Sequence, residues 1–436
     1  MNRAIDRIVG RRVWDSRGRP TIEVDVHLAG GAMGRAIAPA GASRGSGEAL
    51  DRRDGGAAFG GLDVRQALAA VDAEIGPALR DCDATDQAAI DAALIARDGT
   101  RDKSRIGANT MVAASMAVAH AGAAARGLPL WQHLGGGDDA RLPLPEIQIF
   151  GGGAHAGRRV DVQDFMVMPV GASTFAEALD WSAEVYRAAG QIMSEAGRLR
   201  GVADEGGFWP AFDDNEQALE WLLRAIERAG YRPGEQMAIS LDVAASQLGH
   251  GGRYRLARAR GGAKELDRDE MAAMLLDWLQ RYPIVAIEDP LGEDDAEGFA
   301  RFTRAAGDRV QVIGDDFLVT NAARIDSAAT LGACNAVLIK PNQAGTLTEA
   351  KSAWDTARGH GWGALVSARS GETEDTTIVH LAVGWGVGQL KVGSFSRSER
   401  MAKWNEGLRL AEQLQGGRLP PRTAFPWASG HRSSLR

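Results

Sequence analysis

Six charged residues each close an apolar run. They are Asp242, Glu288, Asp315, Lys340, Arg369 and Lys391, after the runs MAISLD, IVAIED, VQVIGDD, NAVLIK, GALVSAR and QLK. The carboxylates come first in the chain and the cations second. Three acidic oxygens beside two lysines suit a hard divalent metal, which prefers oxygen ligands, and an activated amine base. A charge after one buried strand usually just opens a loop. Six in series predict apolar strands that each deliver a functional group at the carboxyl end, as in a (β/α) barrel with its site at the top.

The surrounding patterns supply such strands. From Glu146 onward strand and helix patterns alternate, with amphipathic stretches such as NEQALEWLLRAIERAG and RDEMAAMLLDWLQRY. Between Glu288 and Lys391 the functional positions recur roughly every 25 residues, close to the ~30 of one βα unit. Earlier in the chain, residues 4–38 read as three alternating strands, IDRIVGRRV, TIEVDVHLA and GRAIA, with turn signals at DSRGRP and GG. The Gly-rich stretch PAGASRGSGE predicts a mobile loop, and helical periodicity then runs from Val64 to about Arg126. Strands followed by helices make an α+β unit over 1–135. The barrel is expected over 140–427, with the Gly- and Pro-rich stretch Leu128–Leu144 as the boundary and 428–436 as a polar, unstructured tail.

Composition narrows the function. At 436 residues, 44% hydrophobic and 25% charged, the chain can hold a barrel of ~250 residues and a second domain. A net charge of -7 argues against a nucleic-acid partner or an anionic membrane surface, while leaving room for a local basic pocket. Cys82 and Cys334 lack ligand-like spacing, imply no disulfide framework and are expected as buried apolar residues. MNRAIDRIVG has no charged-then-apolar signal pattern and no window approaches 18 apolar residues, so a cytoplasmic location is expected. No G-x-G-x-x-G opens a helix after the first strand, which excludes a dinucleotide fold.

The stretches WDSRGRPTIEV, PAGASRGS, HAGRRVDVQDFM, ADEGGFWP, SLDVAAS, PIVAIEDPL, GDDFLVTN, LIKPNQAGTLTE, RSGETED and QLKVGSFSRSER follow one another along nearly the whole chain. In their order and spacing the chain resembles enolase, the magnesium-dependent phosphopyruvate hydratase. The resemblance implies an N-terminal α+β domain capping a modified (β/α)8 TIM-type barrel, a homodimer or higher homo-oligomer, and a small phosphorylated anion as substrate. It also implies two Mg²⁺ per active site. Enolase-superfamily sites are themselves a reference case for a Lys or His base working with one or two Mg²⁺.

Such chemistry removes a proton beside a carboxylate, and only concentrated positive charge can hold the resulting dianion. Asp242, Glu288 and Asp315 are expected to bind one Mg²⁺, which clamps the substrate carboxylate, and the Ser43 loop a second. Lys391 adds a further cation. Lys340 is the expected base, its pKa lowered by Mg²⁺ and Lys391 so that the amine is uncharged. Glu205, in Asp204-Glu205-Gly206-Gly207, is the expected general acid for the leaving hydroxyl. His155 and Asp164 resemble the groups supporting that hydroxyl, and Gln163 orders the same region. Arg369 and Ser370 resemble a phosphate clamp, with a bidentate guanidinium and a hydroxyl donor. Glu288, Asp315 and Lys391 are counted with the substrate-binding groups as well.

Several positions depart from the family's usual residues. Ala368 replaces the histidine of S-H-R-S-G-E-T-E-D, and Asp164 in Gln163-Asp164-Phe165 is one methylene shorter than the usual glutamate. Ala203, Ala40, Ala154, Pro341 and Arg19 also differ. A histidine is lost, while Arg44, Arg158 and Arg159 add cations to loops expected to close over the ligand. Three readings follow. The first is an enolase, interconverting 2-phospho-D-glycerate and phosphoenolpyruvate. The second is a lyase on a related phospho- or phosphono-compound, such as carboxyphosphonoenolpyruvate synthase. The third is a catalytically silent scaffold or surface adhesion protein.

Overall fold

A computed structural model describes residues 2–414 and 416–428. Of the terminal stretch 428–436, only Ala428 falls within the described residues. Three antiparallel strands open the chain: β1 (Ile5–Trp14), β2 (Pro20–Leu28) and β3 (Met33–Ile37). Helices at Gln87–Asp98 and Ala108–Arg126 follow. The second of these is Ala-rich and buried on almost every face. Its small side chains let it lie directly on the sheet, and Gly34 marks the contact. A Cβ there would sit 2.2 Å from Ala117 O and Ala121 N, so only glycine fits.

The barrel strands are β4 (Leu144–Gly151), β5 (Asp164–Met168), β6 (Ala238–Asp242), β10 (Ile284–Glu288), β11 (Gln311–Gly314), β12 (Ala336–Ile339), β13 (Gly363–Ser367) and β14 (Gln389–Gly393). A short sheet of β7 (Gly249–His250), β8 (Arg253–Leu256) and β9 (Lys264–Asp267) is inserted after β6. The eight strands close in the order β10-β11-β12-β13-β14-β4-β5-β6. Nearly every residue in them is buried, because parallel strands covered by helices have no solvent face. Thr174, Asp214, Asp267, Asp295, Asn321 and Thr346 each cap the following helix with a side-chain oxygen. Each such cap stabilises its helix by roughly 1 kcal/mol.

Two features depart from a regular barrel. β5 runs antiparallel to both β4 and β6, so its first residue, Asp164, lies at the top rather than the bottom. Lys391 is the middle residue of β14, not the end of a run. Its side chain reaches across the interior to β10, which lies diametrically opposite in the ring.

The Gly-rich loop after β3 is pinned, contrary to the mobility its composition predicts. Ala40 and Gly371 exchange two backbone hydrogen bonds of 2.9 Å, Ala42 N donates to Ser370 Oγ at 2.6 Å, and Ala49 N donates to Gln343 O at 2.8 Å. Those partners are hundreds of residues away in the chain, so local sequence cannot announce them. Cys334 is buried as expected, but Cys82 is only half-buried. No helix among the described residues is long and apolar enough to cross a membrane.

Candidate active site

At the top of the barrel Gly41, Ser43, His155, Gln163, Glu205, Asp242, Lys340, Ala368, Arg369, Ser370 and Lys391 line a single cavity. It has only about 10 Å³ of open space, because its own charges fill it. Asp242 and Glu288 end adjacent paired strands, and Asp315, Lys340 and Arg369 follow β11, β12 and β13. His155 sits on the loop after β4.

The ions pair with one another. Lys391 Nζ donates to Asp242 Oδ2 at 2.9 Å and Glu288 Oε2 at 2.7 Å. Lys340 Nζ donates to Asp315 Oδ2. Burial opposes both ammonium ions, but the carboxylates outweigh it: Lys340 rises above the ordinary lysine range through Asp315, and Lys391 well above it through Asp242 and Glu288. In the protein alone Lys340 thus favours the ammonium form, whereas the uncharged amine was expected for a site that holds Mg²⁺. That expectation counted only neighbouring cations, whereas Asp315 is the closest partner. Burial and the repulsion of Asp242 push Glu288 well above the carboxylate range.

The opposite wall carries a second cluster. His155 Nδ1 lies 3.0 Å from Asp164 Oδ1, and Nε2 lies 3.8 Å from Glu205 Oε1. Burial disfavours the imidazolium, yet Asp164 and Glu205 raise His155 to about 9. Glu205 is raised by burial, opposed by His155. Burial thus favours the protonated carboxyl, the form that could give a proton to a leaving group. Gln163 Nε2 donates to Asp242 Oδ2 at 3.0 Å.

Sequence reasoning missed several members. Gln148 donates to Asp164 and accepts from Gly207 N at 2.8 Å, tying β4 to the Glu205 loop. Gly207 must be glycine, since a Cβ would lie 2.5 Å from Gln148 Oε1. Glu48 accepts from both terminal nitrogens of Arg369 at 3.1 Å, while Asn342 Oδ1 and Ser43 O accept at 3.0 Å. Ser370 Oγ accepts from Arg17 Nη1 at 3.1 Å. Glu48 sits in the loop the sequence assigned to mobility, so no local signal distinguished it. Arg17 lies inside the matching WDSRGRP stretch, which was the available signal.

The donor chemistry fits a hard divalent ion. Carboxylates cluster at adjacent strand ends, and the buried oxygens Glu288 Oε1 and Asp164 Oδ2 have no hydrogen-bond partner. The expected trio Asp242, Glu288 and Asp315 is nevertheless not gathered tightly. The sets with ligand atoms within 4.8 Å of one another, among the described residues, are His155–Asp164–Glu205 and Asp289–Asp315–Asp316. Lysine ammonium groups lie on all three expected carboxylates, and a metal would have to displace them.

Two family models match the chain: "Enolase, N-terminal domain" over residues 5–134 and "Enolase, C-terminal TIM barrel domain" over 139–418. The chain is 47% identical over 425 residues to Enolase 1 of Desulfitobacterium hafniense (strain Y51), covering 97% of each protein. The chain belongs to the enolase family. As an enolase it is an enzyme of the hydro-lyase type, in a family that works with a metal cofactor and a small phosphorylated anion. The departures from the enolase pattern fall into place around the site. Ala368 faces the cavity beside Arg369. Arg44 turns onto its own loop, donating to Ala49 O at 3.1 Å. Neither Arg158 nor Arg159 lines this cavity.

Proposed function

We propose that this chain is a phosphopyruvate hydratase, converting 2-phospho-D-glycerate reversibly to phosphoenolpyruvate and water, with Lys340 as base and Glu205 as acid. One observation carries the reading. Lys340 follows β12, and Glu205 abuts Asp164 of β5 through His155. β12 and β5 are diametrically opposite in the eight-strand ring, and both side chains line one cavity. Anti elimination needs such opposed groups, one to take the α-proton and one to protonate the departing hydroxyl.

Asp242, Glu288 and Asp315 would hold Mg²⁺, with a second ion at Ser43; bound there, the ions supply positive charge against the substrate's carboxylate and phosphate. Lys340 would act as its free amine, its own proton given up to solvent as it parts from Asp315, and take the α-proton. The electron pair left behind forms the new double bond as the β-hydroxyl departs with the proton of Glu205. Arg369 and Ser370 bind the phosphate, Lys391 steadies the enolate charge, and His155, Asp164 and Gln163 orient the acid side. The near-full-length identity to an enolase supports this substrate over a phosphono-compound.

We also propose that the capping unit ends near residue 135 and that the barrel begins near 140. The location proposed is cytoplasmic, and the assembly a homodimer or higher homo-oligomer. The exposed Trp14–Phe59 pair offers apolar surface of the kind subunit contacts bury. The direct test is the rise in ultraviolet absorbance when purified protein meets 2-phosphoglycerate and Mg²⁺. Turnover that stops with a chelator is expected; a silent, metal-binding protein would overturn the substrate assignment.

A further inference from the structure

Arg159 lines a second cavity of about 430 Å³, with Arg198, Arg200, Trp209, Ala211 and Asp213. One carboxylate, Asp213, faces three guanidinium groups, and both Arg198 and Arg159 favour its charged form. Arg198 pairs with Asp213 at 2.9 Å and also donates to Gln217 Oε1 at 2.7 Å and Ala211 O at 2.9 Å. Arg159 and Arg200 make no ion pair among the described residues. Three guanidinium groups against one carboxylate leave the concavity net positive, a potential that an anion would relieve. The overall charge of -7 makes this local excess more pointed.

The cavity is built from the same two loops that carry His155 and Glu205. Arg159 lies on the loop of His155, and Trp209 on the segment of Glu205. The two are joined by a hydrogen bond from Asp204 N to His155 O at 3.2 Å. Trp209 also packs over Gly157, where a Cβ would meet the indole at 3.5 Å. Guanidinium forks match phosphate oxygens, an indole face accepts a flat ring, and the volume lies within the range of small-ligand sites.

We propose that this cavity is a second anion site, separate from the catalytic cavity, for a nucleoside diphosphate, with phosphates between Arg159 and Arg200 and the base against Trp209. The inference stands independently of the catalytic assignment. The test is calorimetric titration of the full chain with ADP and with pyrophosphate, in chelator so that no metal complicates the heats. One ADP per chain is expected, bound more tightly than pyrophosphate. Affinity should be at least ten-fold weaker in Arg159→Gln and in Arg200→Gln, and unchanged in Arg369→Gln. Arg159 and Arg200 carry no structural ion pair, so neither change should unfold the protein. Absence of binding, or loss only in Arg369→Gln, would overturn the site. Equal affinity for ADP and pyrophosphate would overturn the nucleotide assignment.

Discussion

Arg369 already holds an anion, and that anion is part of the protein. Glu48 bridges its two terminal nitrogens at 3.1 Å in a buried pair, and Gly45 N and Gln343 Nε2 also donate to the same carboxylate. A substrate phosphate reaching Arg369 must compete with Glu48. Glu48→Gln keeps the shape and one acceptor but removes the charge. The other atom becomes a donor facing Arg369, so one bond is lost, at ~1.5–3 kcal/mol for a bond to a charged group, and one is weakened by ~1 kcal/mol, together about 3 kcal/mol. The native state should lose roughly that much stability in urea unfolding. Competition at Arg369 should fall by a similar energy, tightening phosphate-ligand affinity by up to ~100-fold, since 1.4 kcal/mol is tenfold. Stability and affinity therefore move in opposite directions. The assays are urea midpoints and the Kd of inorganic phosphate, with KM for 2-phosphoglycerate alongside. A variant that loses stability and also binds phosphate more weakly would refute the competition and make Glu48 a supporting partner instead.

Two further predictions concern protons and metal. His155, raised to about 9 by its carboxylate partners, should stabilise the fold fully below its ordinary value of ~6.5, with that contribution disappearing as pH rises through about 9. The melting-temperature gap between wild type and His155→Gln should be widest near pH 6 and shrink above 9; a gap that widens with pH would contradict the sign. Mg²⁺ at ~100 times its Kd should stabilise the protein by about 2.7 kcal/mol. Thermal melts with and without chelator read this directly, and turnover that survives chelation with no change in melting would exclude the metal role.

Much of this site was legible because buried strands end abruptly. Asp242, Glu288, Asp315 and Lys340 each interrupt an apolar run, and the fold delivers them to one end of the barrel. Lys391 was legible as a residue but not as a position, since a lysine within a strand and one ending it look alike when the run is short. The reversal of β5 left no local trace, because strand direction is fixed by pairing. Glu48, Gln148 and Arg17 stayed hidden for a related reason: their partners Arg369, Asp164 and Ser370 are reached only through the closed topology. Lys340's immediate partner was not legible, because sequence shows which ions exist but not which is nearest. Asp315 takes that place.

Solvent exchange of the substrate's α-proton, followed by NMR in deuterated water with Mg²⁺, separates the two proposed roles. Glu205→Gln should exchange that proton while failing to eliminate the hydroxyl, because Lys340 is intact and only the acid is gone. Lys340→Ala should lose exchange and elimination together. Exchange persisting in Lys340→Ala would contradict the assignment of the base.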